Sequence, residues 1–405
     1  MTLFIMASMI LGVIFGLVVG RTFPVVDLIG QIFLRLIQMS IILLVMGQII
    51  EAIGGIRPQE SGKIGLKTVL VFFVSTVLAA GFGIFMTVLF KPGVSINLER
   101  IDQSAEVTAA STSVYDTILS FFTPNIISSM ANGVIVQVIV FAIVFGLALA
   151  MVVQGNPEQG SVLLSLIHEF NNVIMRVVLM VMVTAPLGVF ALVSTSIGKY
   201  GIEMIKPLAS YLGTYGLATF LFLTAWIVVV VSVTRVPLMG LLNGVSRMSM
   251  VALATTSSAV TLPIEMEDAE AKLGVRGEIS QIVLPLGVSL NSNGAAMHMA
   301  ITIITIAQLY GVSYTASDYL YIVMLATFAS LANAVVPGAG LVSLSIVVPQ
   351  MGLPLESIAI FAGVEWFVGM LRTILNVDSD TFSAMLVAKS ENKLDYSVYA
   401  QPVAA

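Results

Sequence analysis

Apolar and polar positions in this chain do not alternate as they would in a soluble fold. They fall into long hydrophobic runs separated by short polar stretches. A bilayer crossing needs about 20 consecutive apolar residues. Residues 1–20, 68–90, 177–198 and 207–234 each contain no charged side chain. This pattern predicts helical spans at residues 3–19, 25–53, 66–89, 170–197 and 208–233. Residues 117–157 are too long for one span and are interrupted by Pro124, Asn125 and Asn132, so a broken or multi-part helix is expected there. Residues 91–116 form a Ser/Thr-rich connection carrying Glu99, Asp102, Glu106 and Asp116.

The C-terminal third differs. Residues 279–317 and 319–355 are charge-free runs of nearly twice a span's length, rich in Gly, Ser, Asn and Pro. Irregular backbone at membrane depth survives only inside protein or beside a water-filled cavity. Polar, helix-breaking sequence here therefore marks a site, and the N-terminal two-thirds reads as scaffold.

A weak duplication reinforces this. One candidate hairpin carries Thr255-Thr256-Ser257-Ser258-Ala259-Val260-Thr261-Leu262-Pro263. The other carries Ser330-Leu331-Ala332-Asn333-Ala334-Val335-Val336-Pro337-Gly338-Ala339-Gly340. Each precedes a span expected to break around asparagine, at residues 285–294 and 372–380. Paired, interrupted hydrophobic segments point to a transporter binding site near the bilayer midplane. Hairpin tips and half-helix starts expose backbone N–H groups that attract carboxylates. Unwound carbonyls suit hard cations. Small residues that merely let helices pack closely are the plainer explanation. It accounts for single residues, but poorly for two Pro-containing polar tips that each precede a break.

Composition narrows the class. Mean hydropathy is +1.05, with 58% hydrophobic and only 10% charged residues, too little charge for a soluble surface. A cleaved signal peptide is not expected, because residues 1–20 lack a basic start and an evident cleavage site. The net charge of −5 includes no basic patch for nucleic acid. With no cysteine and two histidines, there is no disulfide framework or thiol nucleophile, and little room for a zinc site or a His-based triad. Arg57, Lys63 and Lys67 follow the second span, and Lys389 and Lys393 follow the last, which predicts a cytoplasmic second loop and C-terminus.

Ionisable groups at membrane depth cost a few kcal/mol or more and need a partner or ligand. Arg372, Asp378 and Asp380 lie in the last apolar segment, with Glu365 upstream. Arg372 offers a fork matched to a carboxylate. It reads as a substrate clamp, or alternatively as half of an ion pair with Glu365 or Asp378. Asp380 lies about two helical turns on and reads as a cation ligand. His298 reads as a core histidine rather than a proton carrier, and Met248 and Met250 as core or lipid-facing filler.

These motifs resemble the dicarboxylate/amino acid:cation symporter family, which includes the glutamate transporters. The resemblance extends over nearly the whole chain. It is carried by Leu89-Phe90-Lys91-Pro92-Gly93, Ala131-Asn132-Gly133, Phe141-Ala142-Ile143-Val144-Phe145-Gly146, Ala185-Pro186-Leu187-Gly188-Val189-Phe190-Ala191 and, most specifically, the C-terminal motifs. It implies an all-α membrane protein of eight transmembrane helices and two re-entrant hairpins, built as inverted repeats. It further implies a homotrimer in a prokaryotic inner membrane. Residues 1–64 and 93–200 would form a scaffold. Residues 65–92 and 201–395 would form an elevator-type transport domain, and residues 396–405 a tail. The second hairpin would be the outer gate.

The resemblance assigns substrate contacts to Thr256, Ser257, Ser258, Ala295, Val336, Gly340, Gly369, Arg372, Thr373 and Asn376. One sodium site would comprise Gly287, Asn291, Asn376 and Asp380. A second would comprise Ser289, Ser292, Ser330, Leu331 and Asn333, mostly through carbonyls. A third would comprise Ser75, Thr76, Asn291 and Asn293. Three departures from the family pattern matter. Asn293 replaces an aspartate, and Phe72 replaces a tyrosine at the third site, so fewer coupled sodium ions are expected than in the glutamate transporters. Gly369 replaces the aspartate that receives an amino acid's ammonium, so succinate, fumarate or malate is expected over amino acids. Glu365 and Asp378 are the candidates to replace that aspartate. The expectation is a sodium-coupled (or proton-coupled) C4-dicarboxylate symporter without a cofactor. The rivals are a sodium-coupled symporter for aspartate, glutamate, serine or threonine, an anion channel, and an intramembrane enzyme. The enzyme is disfavoured because no His or Cys partners Ser257 or Ser258.

Overall fold

The computed structural model describes residues 2–55, 58–95, 115, 119, 121–155, 157–201, 205–331 and 339–399. Among these the chain is helical apart from one bridge between Val275 and Leu394. Helices α1 (Thr2–Val19), α2 (Pro24–Gly54) and α3 (Pro58–Phe90) coincide with the first three predicted spans. The predicted broken segment is α4 (Ile126–Ala131) followed by α5 (Ile135–Gly155). Asn125 caps α4 by accepting from the N–H groups of Ile127 and Ser128. Gly133, at φ +70°, turns the chain between the two helices.

The span predicted at residues 170–197 is two helices, α6 (Pro157–Val183) and α7 (Ala185–Tyr200). Pro186 has no N–H to continue the ladder. Thr184 turns its hydroxyl back onto the Val181 carbonyl at 2.7 Å. Helix α8 (Ile205–Thr234) matches the next predicted span.

The C-terminal third divides into short helices. The first hairpin is α9 (Leu238–Thr255) and α10 (Ser258–Ala271). Then come α11 (Gly277–Leu290) and α12 (Asn293–Leu309), parted at Asn291-Ser292 as expected. The second hairpin's arms are α13 (Ala316–Ser330) and α14 (Ala339–Gln350). Its tip, including Asn333 and Val336, lies outside the described residues. Helices α15 (Ile358–Ala362) and α16 (Glu365–Ser390) complete the series.

The second break is not at Asn376. Helix α16 runs through that residue without interruption, and an 86° bend separates Leu355–Ala362 from Glu365–Ser390. No Gly or Pro lies between residues 370 and 390 to weaken the ladder. The Asn376 side chain is engaged elsewhere, so it does not compete for its own backbone.

Among the described residues, five helices are long and apolar enough to cross a bilayer, or six if the bent pair counts as one span. The helices form two packing groups, joined by α15 on α7 and by α14 and α11 on α2. Helices α1 and α2 lie against α5, α6 and α7. There Glu51 of α2 accepts from Asn171 and pairs with His168 at 2.6 Å, both on α6. The other group surrounds α12, which packs on α3, α13 and α16 and is buried at every position from Asn293 to Ala307. A helix apolar all round belongs inside a bundle. Helix α16 is flanked by α8, α9, α11 and α12, so its polar residues face protein rather than lipid.

Candidate functional site

Four elements converge where α16 passes the first hairpin and the α11–α12 break. The hairpin tip owes its shape to Thr256, whose φ of +52° is left-handed. Thr256 ends α9, and Ser257 opens α10 by accepting from the Val260 N–H. Thr256, Ser257 and Ser258 are buried, and the Thr256 hydroxyl oxygen has no hydrogen-bond partner.

Gly369 faces this tip. A methyl group there would lie 3.6 Å from Arg372 Nη2 and 3.9 Å from the Thr256 side chain. The glycine therefore keeps clear the gap between the hairpin and the guanidinium. Arg372 is 3% exposed, and its Nη1 donates to Glu365 Oε1 at 3.0 Å. The same oxygen accepts the Gly340 N–H of α14 at 2.9 Å. Of the two alternatives for Arg372, the Glu365 ion pair is thus formed, and Asp378 is not its partner. Asp378 instead accepts from Ser249 of α9 at 2.7 Å. The guanidinium, read as a substrate clamp or as half of an ion pair, already carries one carboxylate. At this depth a lone cation would be far costlier than the pair.

Asn376 Oδ1 accepts the Gly294 N–H at 2.8 Å, and Tyr215 donates to the Gly294 carbonyl at 3.0 Å. Gly294 packs directly on the Arg372 backbone, where no side chain fits. These contacts hold the start of α12 against the middle of α16.

One turn beyond Asn376, Asp380 is wholly buried. Its Oδ1 accepts from Asn291 Nδ2 at 2.7 Å, while Oδ2 has no hydrogen-bond partner. Gly287 lies flat against this carboxylate, and a methyl group there would sit 2.5 Å from the carboxyl carbon. Gly287, Asn291 and Asp380 are thus brought together in an oxygen-rich setting that fits a hard cation.

Ser75 and Thr76 of α3 meet the break from its other side. Ser75 donates toward Asn291 Oδ1 and Asn293 Oδ1, at 3.3 and 3.2 Å. Thr76 donates to Asn293 Oδ1 at 2.9 Å. The one Ser75 proton also faces the Phe72 carbonyl at 2.9 Å, so Thr76 is the nearer hydroxyl donor to the Asn293 oxygen.

Other expected residues are less engaged. Ser289 is exposed. The Thr373 hydroxyl returns to the Gly369 carbonyl, and that of Ser330 to Thr327. Ser292 and Ala295 are buried, and Leu331 is half-buried. His298 is a core residue as expected, edge-on to Tyr215 at 5.8 Å, although its Nδ1 finds no partner. Met248 is core and Met250 exposed.

Sequence reasoning missed Glu265 on α10. It is completely buried, and its Oε1 accepts from Thr381 at 2.9 Å. A signal was present: Glu265 and Asp268 are three residues apart and share a helix face, and both prove to be buried.

Comparison with known proteins places this arrangement in context. The sequence profile of the sodium:dicarboxylate symporter family matches residues 1–390. A proton/glutamate-aspartate symporter of Bacillus subtilis is 32% identical over 386 residues, covering 93% of this chain and 92% of the relative. A C4-dicarboxylate transport protein of Rhodospirillum rubrum is 30% identical over 404 residues, covering 96% and 88%. A proton/glutamate-aspartate symporter of Escherichia coli is 30% identical over 409 residues, covering 96% and 93%.

Proposed function

Because the chain belongs to the sodium:dicarboxylate symporter family, we propose that it couples sodium entry to uptake of a C4-dicarboxylate such as succinate, fumarate or malate. It is a multi-pass membrane protein. The observation carrying the substrate reading is Gly369. Gly369, beside Thr256 and Arg372, brings no side chain of its own and hence no acid at the position that would meet an ammonium group. An amino acid would leave its ammonium unpaired in a dry site, a penalty of several kcal/mol. A dicarboxylate would instead meet the hairpin backbone at Thr256, Ser257 and Ser258 and the Arg372 guanidinium, with Ala295, Val336, Gly340, Thr373 and Asn376 as further contacts.

Cations would neutralise the remaining charge. The seat at Gly287, Asn291, Asn376 and Asp380 takes the first sodium ion. Ser292, Ser330, Leu331, Asn333 and the Ser289 carbonyl form the second. At the third candidate seat Asn293 supplies a neutral amide, its Oδ1 accepting from Thr76 and its Nδ2 without a hydrogen-bond partner, and the lack of a carboxylate there supports a smaller sodium stoichiometry. Residues 65–92 and 201–395 would move as an elevator against residues 1–64 and 93–200, which trimerise. The two packing groups of helices support that division. The scheme is eight spans with two re-entrant hairpins, the second gating the site.

A second reading has its own observation. Glu365 stands beside Arg372 and would serve an amino acid's ammonium if it turned away from the guanidinium. Uptake of labelled succinate and labelled aspartate into proteoliposomes, under sodium or proton gradients, separates the two. Succinate accumulation driven by sodium is expected. Aspartate accumulation that succinate does not inhibit would replace the first reading by the second. Gly369→Asp should shift preference toward aspartate by about tenfold or more.

A further inference from the structure

Glu265 has no role in the site as described, yet its surroundings call for one. It sits on the second arm of the first hairpin, two residues after Pro263, and is 0% exposed. Thr381 donates to its Oε1, and its Oε2 has no hydrogen-bond partner. Thr381 is the neighbour of Asp380, whose Oδ2 is likewise unpartnered and 0% exposed. Helix α10 packs on α16 here, and the Thr381 hydroxyl, one residue from Asp380, reaches Glu265 at 2.9 Å, which brings the two acids into one buried region. Among the described residues, neither Glu265 nor Asp380 is ion-paired with Lys, Arg or His. The nearest basic cluster on the hairpin, Arg247 and Lys272, is committed to Glu267 and Asp268.

Two buried carboxylates without a counter-charge cost far more than a fold can spare, so each must hold a proton or meet a cation. Their bound oxygens are held by neutral donors, a hydroxyl and an amide, which orient them but bring no positive charge. One free oxygen remains on each. We propose that Glu265 is a second acidic ligand of the Asp380 cation seat, so that a sodium ion held between the two carboxylates ties the first hairpin to α16. The ion satisfies a free oxygen from each element at once, which a hard, oxygen-seeking cation does well. Cation release would leave both acids uncompensated and loosen the hairpin from α16, so occupancy of this seat and the closure of the substrate pocket become linked.

This inference rests on the cation-coupled symporter reading, and its test separates the two. Purified protein in detergent is melted across a sodium chloride series, with choline chloride keeping ionic strength constant, at acid and alkaline pH. The wild type, Glu265→Gln and Asp380→Asn are compared. Sodium should stabilise the wild type. Glu265→Gln should raise the half-saturating sodium concentration by about ten- to a hundredfold. Asp380→Asn should do so at least as strongly. A wild type that responds to neither sodium nor pH would sink the cation-coupled reading itself. A sodium response in Glu265→Gln equal to that of the wild type would overturn the role of Glu265 and leave that reading standing. Stabilisation of the wild type by acid pH alone, lost in Glu265→Gln, would replace the sodium ion with a proton and also overturn the proposal. If Glu265→Gln does not fold, Thr381→Val keeps the carboxylate but frees it from its hydroxyl. It should shift the sodium midpoint in the same direction by a smaller factor.

Discussion

Two stretches of α16, its first turns and its middle, bury charge in opposite ways. Near its start, Arg372 and Glu365 neutralise one another at 3.0 Å, and the Gly340 N–H adds a further donor. Farther along, Asp378, Asp380 and Glu265 are all acids, served among the described residues by the neutral donors Ser249, Asn291 and Thr381. The first cluster is balanced within the chain. The second is balanced only when something positive arrives. One helix thus presents a self-contained anion-binding pole and a pole that depends on a cation, about two turns apart.

The largest effect that would break this contrast comes from Arg372→Ala. It strands Glu365 in the interior, and removing one member of a buried pair costs about 3–5 kcal/mol. A sharp fall in melting temperature is expected in either sodium or choline, together with loss of uptake. Pairing the change with Glu365→Gln should recover much of the stability and none of the transport. Equal stability of Arg372→Ala and wild type would show that the pair is not the balanced unit described here.

A smaller effect is expected from Gly287→Ala. Its methyl group would press on the Asp380 carboxyl carbon at 2.5 Å, and overpacking of this kind costs about 1–3 kcal/mol. The damage should be greater in sodium than in choline, because the displaced carboxylate is the one that holds the ion. A loss independent of sodium would reduce Gly287 to a packing residue. The smallest effect is expected from Ser75→Ala. It removes one hydroxyl donor shared among the Phe72 carbonyl and the Asn291 and Asn293 side chains at about 1 kcal/mol, and leaves sodium stoichiometry, read from uptake against the membrane potential, unchanged. A changed stoichiometry would restore a working third cation seat.

Much of this was legible in the chain. The break at Asn291, the hairpin at Thr256-Ser257 and the split after Asn132 follow from residues that end helices locally. The misplaced second break shows the limit of that reasoning. Asn376 looked like a helix breaker, but its side chain serves Gly294, 82 positions away in sequence. The division of residues 170–197 was missed because uninterrupted hydropathy hides the effect of Pro186 at a helix start.

What the sequence determined by itself was the solvent and the punctuation. Apolar runs dictate a bilayer, and Pro, Gly, Asn and Ser dictate where helices stop, because both effects act over one or two turns. Tertiary structure alone decided which buried charges meet. Glu265 lies 115 positions before Asp380 (380 − 265), and no local rule links them. Only the packing of α10 against α16 brings the two carboxylates into one low-dielectric space, where each charge's cost depends on its neighbours.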